Sequence, residues 1–562
     1  MKFSSIKNLA VIILVFVLIP SCIKDLDTLP LDNNRLVGET VYSTPNGYRG
    51  VLAKCYASLI LTGQKGGDSG DGDVPGIDEG YSGYTRALFY LQVAATDEIA
   101  LHAGSGHGTR SMLFMDWNPS IKVLSYPYYR LYMSIGYCNE FLRESEESKL
   151  RERGVYEGLK NEIEYYRAEA RFIRAYCYSM ICDLYGAAPF IDETQKLGII
   201  PIQKTRQEIY NYVVSEGELL TNALKEPKTN QYGRVDKVAV WFLLARVYLN
   251  AEVYSGKNEY VKAYNYAKKI IDSGKYPLAS DYRHIFLADN NTCPEIIWPL
   301  VQDADFAQSS AGTNFQIKAL INGPMDNFYK TGVGARSWGN ARVKPQLVDL
   351  FELSDQKFDQ LDNWGDKKKD KRAQFFTIGK TKDTWAAGKA FQNDFNSGYS
   401  CIKWRNVTKN RQELVPGGTV YSSVDFPLFR TADAYLMAAE AILRGGGGSR
   451  NEALEYINTV RDRAYMSGSF GSDISGRITD SQMTLDFILA ERGRELHTEL
   501  IRRTDLIRFN KYTKGYNWDW KGSDGQAGNF MGKDVHDKYN LFPIPQDEFT
   551  VNPNLKQNPE YQ

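Results

Sequence analysis

The stretch ILAERGRELHTELIRRTDLIRFN, residues 488–510, sets nine charged side chains among a few apolar ones. Three chemistries fit such a density: an acid/base active site, a basic patch for nucleic acid, or a set of ion pairs that holds the fold together. An acid/base site needs two carboxylates facing a cleft, one of them with a raised pKa. Read as one helix, Glu491 instead meets Arg494 and Glu495, and Glu499 meets Arg502 and Arg503, at i+3 and i+4. Every acid then has an arginine beside it that depresses its pKa. The segment therefore reads as a strut, pinning the last helix to its neighbours through satisfied, partly buried ion pairs. Elsewhere the chain shows no nucleophile elbow, zinc motif, P-loop or isolated carboxylate pair. Its five histidines are scattered without ligand spacing. The Gly/Asp-rich run at 63–80 does not place its acids at EF-hand positions and reads as a solvated turn. Neither a catalytic residue nor a metal or other cofactor is expected.

The elements that carry these residues must come from 562 positions, of which 43% are hydrophobic, enough for a large core. Lys+Arg and Asp+Glu both number 68, so no net field recruits nucleic acid. Aromatic residues reach 13%, with 37 Tyr and 9 Trp, and flat rings suit both cores and the apolar faces of sugars. At the N-terminus, Lys2 and Lys7 precede an apolar run from Leu9 to Ile19, then Ser21 and Cys22. The run is too short to span a bilayer and fits a secretory signal. Residues 1–21 read as a lipoprotein signal peptide, with Cys22 lipidated and the body, 22–562, tethered to a membrane. The other six cysteines have no paired C-x-x-C spacing and read mostly as small buried residues.

Helical periodicity organises most of the body. Ala168, Phe172, Ala175, Tyr176 and Ser179 form one stripe within 165–186, and residues 128–145 give an earlier helix. Helix pairs rich in Ala, Tyr and Leu follow, with Ala245, Tyr248, Ala263 and Ala267 as interlocking positions. The expected fold is mostly α: about four tetratricopeptide-like helix pairs, near 128–186, 205–278 and 429–510, that bury their faces by stacking. Between them, about 290–427, runs an irregular insertion rich in Gly, Asn, Asp and aromatics, including Trp298, Trp338, Trp364, Trp385 and Trp404. Such a segment must pack or bind something.

In this order the motifs resemble the SusD/RagB family of Bacteroidetes outer-membrane nutrient-uptake lipoproteins, over almost everything after Cys22. CIKDLDTLP resembles the family's mature start, ATDEIAL its early T-D-E element, and FLLARVYLNAEVYSGKNEYVKAYNYAKKIIDSGKYPL and FRTADAYLMAAEAI its helix pairs. ILAERGRELHTELIRRTDLIRFNKYT resembles its most specific motif, and LFPIPQDEFTVNPNLKQNPEYQ its usual ending. The resemblance implies a protein without chemistry of its own. Such a protein is surface-exposed on the outer membrane, captures oligosaccharide or polysaccharide, and passes it to a SusC-like TonB-dependent transporter. The alternative within the family is a peptide-binding lid of a peptide importer.

For sugar capture, the resemblance points first to Trp338, in the Gly-rich GARSWGNARVKPQLVDLF, where starch-binding members carry a stacking Trp; a core Trp closing the loop is the other reading. Asn340 beside it could hydrogen-bond hydroxyls. Arg86 precedes T-D-E at a distance similar to a sugar-binding Arg of those members. The loop after T-D-E, IALHAGSGHGTR, lacks the Trp that they place there, which puts α-glucan specificity in question; His102 and His107 stand in it instead. Phe306, Phe315, Tyr329 and Trp385 complete the candidate rings, while Trp298, Trp518 and Trp520 read as structural. Starch-like α-glucan stands slightly ahead of other glycans.

Overall fold

The computed structural model describes residues 38–63, 67, 70, 72–101, 107–196, 198–321, 325, 331–333, 338–351, 369–384, 396–465, 473–523 and 530–561. Cys22, His102, Tyr329, Trp364 and Trp385 lie outside them. The helices that matter here are α1 (Pro45–Ala57), α2 (Tyr84–Phe89), α3 (Ser125–Glu144), α4 (Ile163–Leu184), α5 (Arg206–Leu220), α6 (Lys237–Leu249), α7 (Tyr260–Ser273), α8 (Gly312–Leu320), α9 (Thr431–Leu443), α10 (Arg450–Tyr465), α11 (Leu485–Leu496) and α12 (Arg502–Arg508). Their starts are written locally. Thr44 accepts from Gly47 N with Pro45 following, Thr205 and Glu208 close a capping box, Asp236 caps Val238 N, and Thr484 caps Phe487 N.

Packing runs in succession: α3 on α4, α4 on α5, α5 on α6, α6 on α7, α7 on α9, then α9 on α10 and α11. The fold is thus mostly α, with helices stacked on their neighbours. The expected stripe of Ala168, Phe172, Ala175, Tyr176 and Ser179 is buried, as are Ala245, Tyr248, Ala263 and Ala267. Helices α7 and α9 are close neighbours although everything from Gly274 to Arg430 lies between them in sequence. That insertion leaves and re-enters the stack through one antiparallel strand pair, β2 (Ile296–Leu300) with β4 (Phe426–Arg430). Trp298 is fully buried there, its ring edge-on to Phe172, Tyr176 and Phe429. A second pair joins β1 (Ile99–Leu101) to β3 (Ala341–Val343). All six described cysteines are free and buried, and Trp518 and Trp520 are buried too. Among the described residues, no helix is long and apolar enough to cross a membrane.

The charged segment departs from the expected continuous helix. α11 ends at Leu496, His497 is extended, and Thr498 and Leu500 take left-handed backbone (φ 62° and 63°) before α12 begins. Glu499 therefore sits in the break and does not meet Arg502 and Arg503 across a helical turn. It is held by the Nε of Arg430 (2.6 Å) and the Nζ of Lys403 (2.6 Å). Of the expected pairs Glu491–Arg494 forms, at 2.7 Å, and Arg508 makes a second local pair with Asp505 at 2.8 Å. Most other partners come from far away: Arg502 grips Asp97 with two bonds of 2.8 and 2.6 Å, Arg508 also grips Glu440, and Arg492 bridges distant Asp433 to Asp505 of the segment itself. Most of these residues are fully buried, with Arg494 and Glu499 half-buried. At the centre Glu495 receives Arg430 (2.7 Å), Arg372 (3.2 Å) and Arg463, and Arg430 and Arg463 both reach Glu295.

Burial alone would raise the Glu495 carboxyl, but Arg463, Arg430 and Arg372 override it and hold it at about 2. Burial opposes ionisation of Asp433 likewise, and Arg492 and Arg246 bring it to about 2. A depressed acid stabilises the fold fully above its ordinary pKa, here 4.5 and 3.8, and loses that contribution as pH falls towards about 2. The melting temperature is accordingly expected to stay level down to about pH 5 and then drop steeply towards pH 2; a level profile over that window would contradict the ion-pair account. Arg430→Met takes one cationic partner from each of three carboxylates, Glu295, Glu495 and Glu499, and is expected to cost roughly 3–5 kcal/mol, read as a lower melting temperature at neutral pH.

Candidate functional site

The local chain between 78 and 90 builds one side of the site. Asp78 caps the turn Glu79–Ser82 by accepting from Gly80 N (3.1 Å) and Tyr81 N (3.4 Å). Glu79, buried, accepts from Ser309 Oγ (2.8 Å), from Ser310 N (3.2 Å) and from the Thr62 hydroxyl. This carboxylate ties the loop 301–311 of the insertion to the start of α2. The approach is close enough to require glycine twice. A Cβ on Gly83 would stand 2.1 Å from Ala311 Cβ, and one on Gly80 would stand 2.3 Å from an Arg86 nitrogen.

Arg86, on α2, is enclosed by rings. Its guanidinium carbon lies 4.1 Å from the centroid of Tyr81, 4.8 Å from Phe315 and 5.3 Å from Trp338. Nε donates to Tyr90 Oη (3.2 Å) and Nη1 to the Ser310 carbonyl (3.3 Å), leaving Nη2 without a partner among the described residues. The side chain is desolvated, at 8% exposure, where cation–π contacts are worth about 2 kcal/mol. Burial would lower the pKa of Arg86, but Tyr90, Tyr81 and Asp78 outweigh it, so the charge is permanent.

Trp338 arrives from the insertion. Its N–H donates to the Lys318 carbonyl at the end of α8 (2.7 Å), and residues 341–343 continue as β3 against β1, with Leu101 opposite Ala341. Because β1 follows the T-D-E residues 96–98, the strand pair brings the two sequence candidates, Arg86 and Trp338, together. The Trp338 ring is 36% exposed and its centroid lies 6.1 Å from that of Phe315. Phe306, on the loop that holds Arg86 through Ser310, is 88% exposed. On the opposite flank, His107 stacks on Tyr81 at 3.9 Å and its Nδ1 pairs with the Tyr126 hydroxyl. Burial lowers the His107 pKa, Asp78 works against it, and Arg86 and Lys122 add to the lowering, so the ring is neutral near pH 7.

Of the residues singled out by sequence, Arg86, Trp338 and His107 converge, with Phe306 on the adjoining loop. Phe315 is corrected: at 0% exposure it lies beneath the site, edge-on to Phe89, and supports Arg86 and Trp338 instead of offering its own face. Asn340 follows Trp338, half-buried, with an Oδ1 that has no partner among the described residues. His102 and Tyr329 fall outside the described residues. Sequence reasoning missed Tyr81, Tyr90 and Asp78. A written signal for Asp78 and Tyr81 is the helix-capping DEGY at the end of the Gly/Asp-rich run; Tyr90 lies beyond it. The arrangement offers ring faces, a fixed cation and hydrogen-bonding groups at a surface. Among the described residues, no cluster of His, Cys, Asp or Glu suits a metal.

Comparison with known proteins agrees with this architecture. Residues 294–561 match the SusD family (SusD/RagB). The chain is 32% identical to "Starch-binding protein SusD" of Bacteroides thetaiotaomicron, an alignment that covers 100% of both chains. It is 28% identical to "SusD-like protein P25" of Formosa agariphila, over 61% of this chain and 63% of that one. Among solved structures, a SusD superfamily protein of Bacteroides vulgatus superposes with a TM-score of 0.67 at 18% identity, covering 92% of this chain and 99% of the other. Surface glycan-binding protein A of Bacteroides thetaiotaomicron, solved in complex with laminarihexaose, superposes with a TM-score of 0.64 at 19% identity, over 92% and 99%. The chain belongs to the SusD family.

Phe306 carries no packing role at this exposure. Phe306→Ala is therefore expected to leave the melting temperature unchanged, within about 0.5 kcal/mol of stability. A clear drop would show that the loop folds its ring inward.

Proposed function

We propose that the protein is a non-catalytic, lipid-anchored glycan-binding protein of the outer-membrane surface, which captures oligosaccharide or polysaccharide and passes it to a SusC-like TonB-dependent transporter. The observation that carries this reading is the Trp338 ring, one third exposed and held over a buried arginine, beside the exposed Phe306 and the His107–Tyr81 stack. A sugar ring presents C–H groups on its faces and hydroxyls around its edge. Trp338 and Phe306 offer apolar faces to the first; Arg86 Nη2, Asn340, His107 and Asp78 offer donors and acceptors to the second. The charged strut leaves no acid free for catalysis there, since its carboxylates are neutralised by arginines. A starch-type α-glucan is favoured because the full-length relative at 32% identity is named a starch-binding protein.

Affinity electrophoresis of the lipid-free body, from residue 23, tests this in gels cast with starch, pullulan, dextran, xylan, mannan, levan or pectin. Starch or pullulan is expected to retard the protein, and Trp338→Ala or Phe306→Ala to weaken binding about two- to tenfold per ring lost. Retardation by another glycan keeps the class and replaces the ligand. No retardation in any gel removes the glycan reading and leaves the peptide importer. For the anchor, Cys22→Ala is expected to abolish incorporation of labelled palmitate and release the protein from the membrane fraction; a variant that stays labelled and membrane-bound would refute lipidation at that residue.

A further inference from the structure

A second recess, of about 360 Å³, opens between the turn 228–236, which leads into α6, and the segment 291–299, which leads into and forms β2. That volume falls in the range of small-molecule sites. Its construction differs from that of a roomier groove nearby α7 and α12, where Arg206 is spent on the carbonyls of Cys182 and Val253, and Arg444 and Arg508 on Glu440. Here the polar groups at the rim are unspent. The Lys228 ammonium has no ion pair, the Asn291 side chain has no hydrogen bond, and the Gln231 amide nitrogen has no acceptor, all among the described residues.

The rings of this recess are locked in place. Tyr232 is 49% exposed, yet its hydroxyl is bound to the buried carboxylate of Asp425, which also accepts from Gln302 N (2.7 Å). A half-exposed ring pinned at its edge is a pre-organised stacking face, with little rotamer entropy left to lose on binding. Tyr276 donates to Asp236 (2.6 Å) and lies under the Lys228 Nζ, 4.4 Å from its centroid. Lys228 itself has left-handed backbone (φ 64°), and its N–H donates to the same Asp236 carboxylate (2.7 Å). Charge is balanced: Asp236 answers Lys228, and Glu169 grips Arg234 at 2.6 Å. A flat face, two primary amides, an ammonium and no excess charge suit a neutral polyol.

The geometry points to a second glycan-binding site here, taking one or two neutral hexose units of the polymer held at Trp338. The inference rests on the glycan reading given above. One stretch of chain links the two sites. Pro299 lines the recess, and eleven residues later Ser310 holds Arg86, so the chain bounds their separation at about 40 Å. Gly233 packs on Val301 at the start of that same stretch, where a Cβ would stand 2.9 Å from the valine. Two modest sites on one polymer raise its retention without tightening either.

The test compares the full lipid-free body with Gln231→Ala/Asn291→Ala, which alters exposed residues only, and with Tyr232→Ala. On whichever glycan retards the unaltered protein, both variants are expected to bind the polymer about three- to tenfold more weakly, with unchanged melting temperature for Gln231→Ala/Asn291→Ala and a lower one for Tyr232→Ala, which takes the phenol donor from buried Asp425. Calorimetry with a short oligosaccharide of that glycan should show one class of sites disappearing while the class abolished by Trp338→Ala persists. If the unaltered protein is retarded, and both variants match it in every gel and titrate identically, the second site is refuted and the Trp338 site stands. If only the pectin gel distinguishes the variants, the recess takes an acidic sugar and the neutral assignment fails. If no glycan retards the unaltered protein, both readings fall together.

Discussion

Everything in this molecule hangs on how a set of buried carboxylates and guanidiniums is satisfied. Glu495, Glu491, Glu295, Asp433 and Glu440 are all buried, and each is met by at least two arginines. An ion removed from water costs several kcal/mol unless its partners replace the lost hydration with good geometry. Here the partners come from separate parts of the chain: Arg372 from the insertion, Arg430 from the strand that closes it, Arg463 from α10. The network therefore forms only when the helical stack and the insertion are docked in one register. Its contribution lies in that demand for a single arrangement more than in net stability.

The binding surface follows from the same docking. Asp97 and Glu98 of the T-D-E element meet the break after α11, with Arg502 on one carboxylate and Thr498 N on the other (3.0 Å). That contact fixes the start of β1, β1 pairs with β3, and Trp338 and Asn340 lie just before β3. On the other side Glu79 ties loop 301–311 to α2. The exposed candidates Trp338 and Phe306 thus lie outside the helices, while helices and buried charge supply the rigid base beneath them. The Arg86 cation is permanently enclosed by aromatic rings, so a ligand meets a surface whose order is already established.

A surface platform of this kind suits a long, repetitive ligand better than a compact one. Exposed rings that meet one face of a sugar leave the rest in water, which keeps affinity modest and release fast. The loop after T-D-E has no Trp in its sequence, and beside Arg86 the described structure places the His107–Tyr81 stack.

Periodicity made the helices legible: the stripe from Ala168 to Ser179 and the Ala/Tyr positions of 245–267 are buried as their spacing predicts, because a helix's inward face is set by local geometry. Motif order made the family legible. Arg86 and Trp338 were readable one at a time, and the capping Asp78 left its mark. What the sequence could not contain is which distant groups meet. Local spacing assigned Glu499 to Arg502 and Arg503, yet two left-handed residues break the helix and hand Glu499 to Arg430 and Lys403. Spacing also left Phe315 as an available ring, although packing against Phe89 seals it beneath Arg86. Both outcomes depend on contacts between residues more than sixty positions apart, and such contacts are decided by the free energy of the whole docked fold, not by any window of the chain.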